Sequence, residues 1–174
     1  YIQIRKGPNK VGLLGIMQPI SDAIKLFNKN LISSEMMNFS MVYISPALTL
    51  LISIIIIPII PFNYYSLFDN KHSILLFFIL SSISVYFILM IGWSPNSKYC
   101  HLGAIRSVAQ MISYEVSFFM IILFIVMLSN SFLFTQISES QYMLFFLWGN
   151  MILYFIWLIS CLAETNRSPF DFAE

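Results

Sequence analysis

Apolar residues fill four long stretches of this chain, running about Val42 to Phe62, Ser73 to Trp93, Ile112 to Phe134 and Tyr142 to Ala163. A bilayer's hydrocarbon core, about 30 Å thick, asks for about 20 consecutive apolar residues in helical form. All four stretches meet that length. Three carry no charge, and the third carries one acid, Glu115, near its start. Backbone N–H and C=O groups in lipid find no water, so each segment must satisfy its own, and a helix does so. A membrane barrel would need alternating runs of about 10 residues, and these runs do not alternate. The pattern predicts an all-α membrane protein with four transmembrane helices over 42–62, 73–93, 112–134 and 142–163.

A different periodicity precedes the first span. Within Ile16 to Lys29, Ile20, Ala23, Ile24 and Phe27, continued by Leu31, share one helical face, while Asp22, Lys25 and Lys29 share the opposite one. This predicts an amphipathic helix in the interface, inside a polar segment covering 1–41. Pro61 is expected to end the first span and Pro58 to bend its last turn by removing a hydrogen bond, with Pro46 further back. Residues 63–72 form a short polar loop, 94–111 a longer one leading into the third span, and 164–174 a charged segment after the fourth.

Composition supports the lipid assignment. Hydrophobic residues make up 59% of the 174 and charged residues 10%, where a soluble domain has about 45–50% and about 25%. The mean hydropathy is +0.82. A formal net charge of +1 excludes the basic excess of a nucleic-acid binder. Every Lys and Arg except Lys71 lies before the first span, between the second and third, or after the fourth. An even number of crossings puts all of these on one face, which the positive-inside rule makes the cytoplasmic or matrix face. A chain that opens on Tyr1 and stops at Glu174 is expected to be a piece of a longer protein.

A few polar residues call for a reason. A carboxylate inside a span, such as Glu115, either snorkels to the surface or stands as a protonatable group on an internal polar path. Asn150, in the fourth stretch, reads as a helix-to-helix hydrogen bond. Cys100 and His101 are adjacent and have no second ligand pair at metal spacing, and no Cys cluster suits an iron–sulfur centre. No Gly-rich phosphate loop or Ser/His/Asp arrangement is present. The charged run from Glu164 to Glu174 alternates with aromatics, which suits a surface that packs on another protein.

Three motifs, in order along the chain, carry a resemblance. They are Gln3-Ile4-Arg5-Lys6-Gly7-Pro8-Asn9-Lys10-Val11-Gly12 with the following Gln18-Pro19, Asp22-Ala23 and Lys25-Leu26-Phe27, then Arg106 to Val116, then Ala163-Glu164-Thr165-Asn166-Arg167-Ser168-Pro169-Phe170-Asp171. Together they resemble the subunit 1 family of NADH dehydrogenase in respiratory complex I. Pro95 departs from the family's usual pattern. The resemblance implies a fragment of an eight-helix subunit, holding its second to fifth helices. It also implies a multi-pass location in the mitochondrial inner membrane, with the basic face in the matrix. Ubiquinone would be the substrate at a subunit interface, with no NADH, flavin or iron–sulfur cluster bound by this chain. The implied partners are the peripheral quinone-site and iron–sulfur subunits and neighbouring membrane subunits. By position, Arg5 and Asp22 would line the quinone tunnel. Arg106, Glu115, Glu164, Asp171 and Glu174 would belong to the path coupling quinone reduction to proton translocation, and Arg167 would hold the loop. Two alternatives carry other functions: the homologous subunit of a membrane-bound hydrogenase, which takes no quinone, and half of a secondary transporter. The transporter would require an internal repeat, and the sequence shows none.

Overall fold

The computed structural model describes residues 4–30, 36–62, 66–167 and 169–171. It divides into two units, Tyr1–Ser34 and Glu35–Glu174. Among the described residues every regular element is helical.

The first unit holds α1, Gly12–Gly15, a single irregular turn, and α2, Gln18–Phe27. Gly15 has φ +80, and a side chain there would also run into the Pro8 carbonyl, so only glycine fits. Pro19 sits in the first turn of α2, where its missing N–H costs nothing, and Gln18 Nε2 donates to Asp22 Oδ1 at 3.0 Å. Ile20, Ile24 and Phe27 leave an exposed apolar face, as the sequence periodicity predicts. Leu31, which continues that face in the sequence, lies outside the described residues.

The second unit is a helical layer. Its elements are α3 (Phe39–Ile56), a 3-10 turn (Ile57–Ile59), α4 (Ser73–Trp93), α5 (Lys98–Ser129), α6 (Phe134–Ser140), α7 (Phe146–Gly149) and α8 (Met151–Glu164). Helix α4 packs on α3 and α5, and α5 packs on α8. The spans Phe39–Ile59, Ser73–Trp93 and Lys98–Ser129 are long and apolar enough to cross a membrane. Pro58 lies in the tightened last turn after α3, where its ring denies the α-helical ladder a donor.

The core forms where α4, α5 and α6 meet, around Ile74, Phe78, Phe118, Val126 and Ile137. Phe78 meets Phe119 and Phe118 edge-on at centroid distances of 4.9 and 5.7 Å, the preferred aromatic geometry. Polar ties hold both ends of α4 to its neighbours. At one end the Ser73 hydroxyl accepts from Phe134 N at 3.1 Å, and Ile74 N donates to Phe132 O at 3.3 Å. Near the other, Asn38 N donates to Ser94 O at 3.0 Å, which joins the start of α3 to the end of α4.

Three boundaries differ from the sequence expectation, each for a local reason. In 94–111, expected as a polar loop and helix start, the helix begins early: Ser97 Oγ accepts from Cys100 N at 3.3 Å and starts α5 at Lys98. Helix α5 stops at Ser129 rather than near Phe134 because Asn130 turns left-handed, at φ 54 and ψ 30. The fourth apolar stretch is not one continuous helix over 142–163. It breaks at Asn150, at φ −135 and ψ 52, after Gly149, and α8 keeps 14 residues, about 21 Å of rise. Gly and Asn are both poor helix-interior residues, so the break falls where propensity is weakest.

Helices α4 and α5 approach closely at Gly92, where an added Cβ would overlap the Ala104 Cβ. Small residues at such crossings let backbones pack tightly. Gly92→Ala is expected to cost about 1–3 kcal/mol through overpacking. Adding Ala104→Gly should recover most of that loss, and thermal unfolding of the single and double variants measures it.

Candidate functional site

The residues that gather are on α4, α5 and the end of α8. Glu115 stands on α5, half-buried, and the Ser81 hydroxyl of α4 lies 3.4 Å from its Oε1 and 2.9 Å from the Phe78 carbonyl. Glu164 is the last residue of α8 and is also half-buried. Although far apart in sequence, the two carboxylates are close enough to interact electrostatically. Burial, and after it the nearby Glu115 carboxylate, makes the Glu164 carboxyl harder to ionise.

One residue in the polar stretch 94–111, assigned no role of its own from the sequence, organises this arrangement. Gln110 is 7% exposed. Its Nε2 donates to Ala163 O at 2.7 Å and to Phe170 O at 3.0 Å. Both partners are carbonyls, so the amide orientation is fixed, because turning it over would aim oxygen at oxygen. Its Oε1 is buried and has no donor among the described residues. The sequence signal was present, a lone amide between Ala109 and Met111 at the head of an apolar run, but its partners lie 53 and 60 positions away.

The end of α8 is shaped to receive that side chain. Asn166 is left-handed at φ 49. Arg167 N donates to Leu162 O at 3.2 Å and Asn166 N to Ala163 O at 3.3 Å, the paired bonds of a Schellman turn. Phe170 N then donates to Arg167 O at 2.8 Å, and the Phe170 ring meets Tyr114 of α5 edge-on at 5.7 Å. Arg167 thus takes part in the loop through its backbone, with its side chain exposed.

The other sequence candidates are placed as follows. Arg106 is exposed on α5, about two and a half turns before Glu115. Asp171 is exposed beyond Phe170, and Glu174 lies outside the described residues. Arg5 and Asp22 belong to the first unit, where Asp22 accepts from Gln18. Among the described residues no three His, Cys, Asp or Glu side chains gather in a way that could hold a metal ion. His101 instead meets Trp93 edge-on at 4.6 Å. Asn150, expected to bond between helices, sits at the break before α8 and lines a groove of about 270 Å³ between α5 and α7–α8.

All of the chain, residues 1–174, matches the family model described as NADH dehydrogenase. The chain belongs to the NADH dehydrogenase family. It is 45% identical over 174 residues to NADH-ubiquinone oxidoreductase chain 1 of Anopheles gambiae, 46% over 175 residues to that of Locusta migratoria, and 41% over 174 residues to that of Heterololigo bleekeri. Each match covers 100% of this chain and 55% of the relative, so the chain spans about half the length of the curated relatives it matches. In this NADH dehydrogenase family member, the acids that interact are therefore those of the second and third motifs.

The left-handed Asn166 gives a direct check on the α8 terminus. Asn166→Gly should leave stability unchanged or raise it, because glycine adopts this conformation without strain. Asn166→Val should cost about 1–2 kcal/mol, since a β-branched residue is strained there, and thermal melts of the two variants read the difference.

Proposed function

We propose that this chain is a core membrane subunit of a proton-pumping NADH:ubiquinone oxidoreductase. In this reading it lies in the mitochondrial inner membrane with its basic face toward the matrix. The observation that carries the reading is the Glu115–Glu164 pair, which joins the second and third family motifs through the α5–α8 contact. The names of the relatives, NADH-ubiquinone oxidoreductase chain 1, supply the substrate class.

Electrons reach ubiquinone from peripheral subunits that carry the iron–sulfur cluster and the quinone head-group site, and this chain forms the membrane side of the tunnel. Arg5 and Asp22 contribute to the tunnel, with the amphipathic α2 laid along the interface. Reduction of a quinone takes up two electrons and two protons and gives a neutral quinol, so the charge changes on the groups that supply those protons, and the acids of the path feel that change. Glu115 and Glu164 respond as a coupled pair, because a proton gained by one changes the cost of ionising the other. Ser81 supplies a hydroxyl that can donate to an ionised Glu115. Arg106, Asp171 and Glu174 belong to the same charged path, and Arg167 holds the loop after α8. The carboxylates are the proton-carrying groups, and the bilayer around α3–α5 prevents protons from leaking past them.

The test is Glu115→Gln in the intact complex, with Glu164→Gln beside it. Each should lower quinone reductase activity and proton translocation together by about a hundredfold, the lower end of what a positioned proton-transfer group contributes. Wild-type rates of both processes in both variants would overturn the reading.

A further inference from the structure

We propose that Gln110 is a positioning residue which, by holding the end of α8 against α5, keeps Glu164 in electrostatic range of Glu115. This rests on the function proposed above and adds to it a group that carries no proton itself.

Among the described residues, the hydrogen bonds that join α5 to the segment 163–171 both come from the Gln110 amide. One lands on Ala163, the residue before Glu164, and the other on Phe170, the residue before Asp171. A single side chain therefore fixes the backbone on both sides of the turn that carries one of the paired acids. The other acid, Glu115, stands on the same helix as Gln110, about one and a half turns on. Tyr114, its neighbour, reinforces the tie through the ring contact with Phe170.

Burial makes the tie strong and specific. Gln110 is more than nine-tenths buried and Ala163 fully so, and a hydrogen bond shielded from water does not exchange readily for one to solvent. Ala163 O accepts twice, from the Asn166 N–H of its own turn and from Gln110, so the turn and the tie stand together. An apolar residue at position 110 would leave the Phe170 carbonyl without this donor and would let 163–171 swing away from α5. An acid would behave conditionally: protonated, it keeps one donor for Ala163 O; ionised, it presents oxygens only.

The experiment uses the intact complex with the full-length subunit. Amide hydrogen exchange is followed in the peptides covering 163–171, with those of α3 and α4 as internal reference. Gln110→Leu should speed exchange in 163–171 by roughly tenfold or more and leave the reference unchanged. Unchanged exchange in 163–171 would overturn the proposal. Gln110→Glu keeps the shape of the side chain and provides a second measurement should the leucine variant fail to assemble. Its protection, as a ratio to the wild type at each pH, should be near normal at low pH and fall as pH rises. A flat ratio would also overturn the proposal. The titratable and charged groups within about one and a half turns of position 110 on α5, and on the α8 end and the segment after it, are Arg106, Tyr114 and Glu115, Cys161 and Glu164, and Arg167 and Asp171, and the wild-type reference carries all of them.

Activity separates this proposal from the function it rests on. Faster exchange together with lost proton translocation supports both. Faster exchange with wild-type translocation in Gln110→Leu, while Glu115→Gln is impaired, overturns the role of Gln110 in coupling. Wild-type translocation in Glu115→Gln and Glu164→Gln as well overturns the coupling function of the pair itself.

Discussion

A polar group placed in hydrocarbon must find its partner within the protein, and the second unit is built around that requirement. Its serines show the rule at work. Ser45 donates to Met41 O at 2.6 Å, Ser84 to Ser81 O at 2.6 Å, Ser107 to Ala104 O at 2.9 Å and Ser160 to Trp157 O at 2.7 Å, each bending back on its own helix. Such hydroxyls enter an apolar helix without demanding a neighbour. Among the described residues, the side chains that reach across to another element are few: Ser73 toward the start of α6, Thr135 of α6 toward Asp69, Ser81 toward Glu115, and Gln110 toward α8 and the segment after it.

Charge follows the same economy. The described acids of the second unit that are half-buried, Glu115 and Glu164, lie together on facing elements, while Asp69, Glu139 and Asp171 are exposed. Two carboxylates confined near one another are a poor way to stabilise a fold, because their repulsion opposes packing. Their juxtaposition is better understood as something the fold tolerates. The hydrogen bonds of the α8 terminus fix the backbone next to one of them.

Much of the architecture was legible because lipid imposes length. Ser73–Trp93 appears with the boundaries the apolar run suggests, since neither proline nor a left-handed residue interrupts it. The amphipathic α2 was legible because a period of 3.6 residues places its apolar side chains on one face. The start of α5 was hidden because Lys98 to Gln110 mixes polar and apolar residues, and only the capping role of Ser97 marks a helix there. The break at Asn150 was hidden for the opposite reason, since a long apolar run masks the weak helix propensity of Gly149 and Asn150. At the site, Glu115 announced itself as a charge in an apolar run. Its meeting with Glu164, and the part played by Gln110, depend on how α5 packs on α8, which no local pattern encodes.

The break before α8 has a mechanical consequence. Helix α4 is tied by Ser73 to the start of α6 and packs on α5 through the close approach of Gly92 and Ala104. Helix α8 is secured differently, with a discontinuity at Asn150 and an anchor at Gln110. The two ends of α8 are therefore held by different means: at Asn150 by packing without a continuous backbone helix, and at Ala163 by a buried side-chain hydrogen bond.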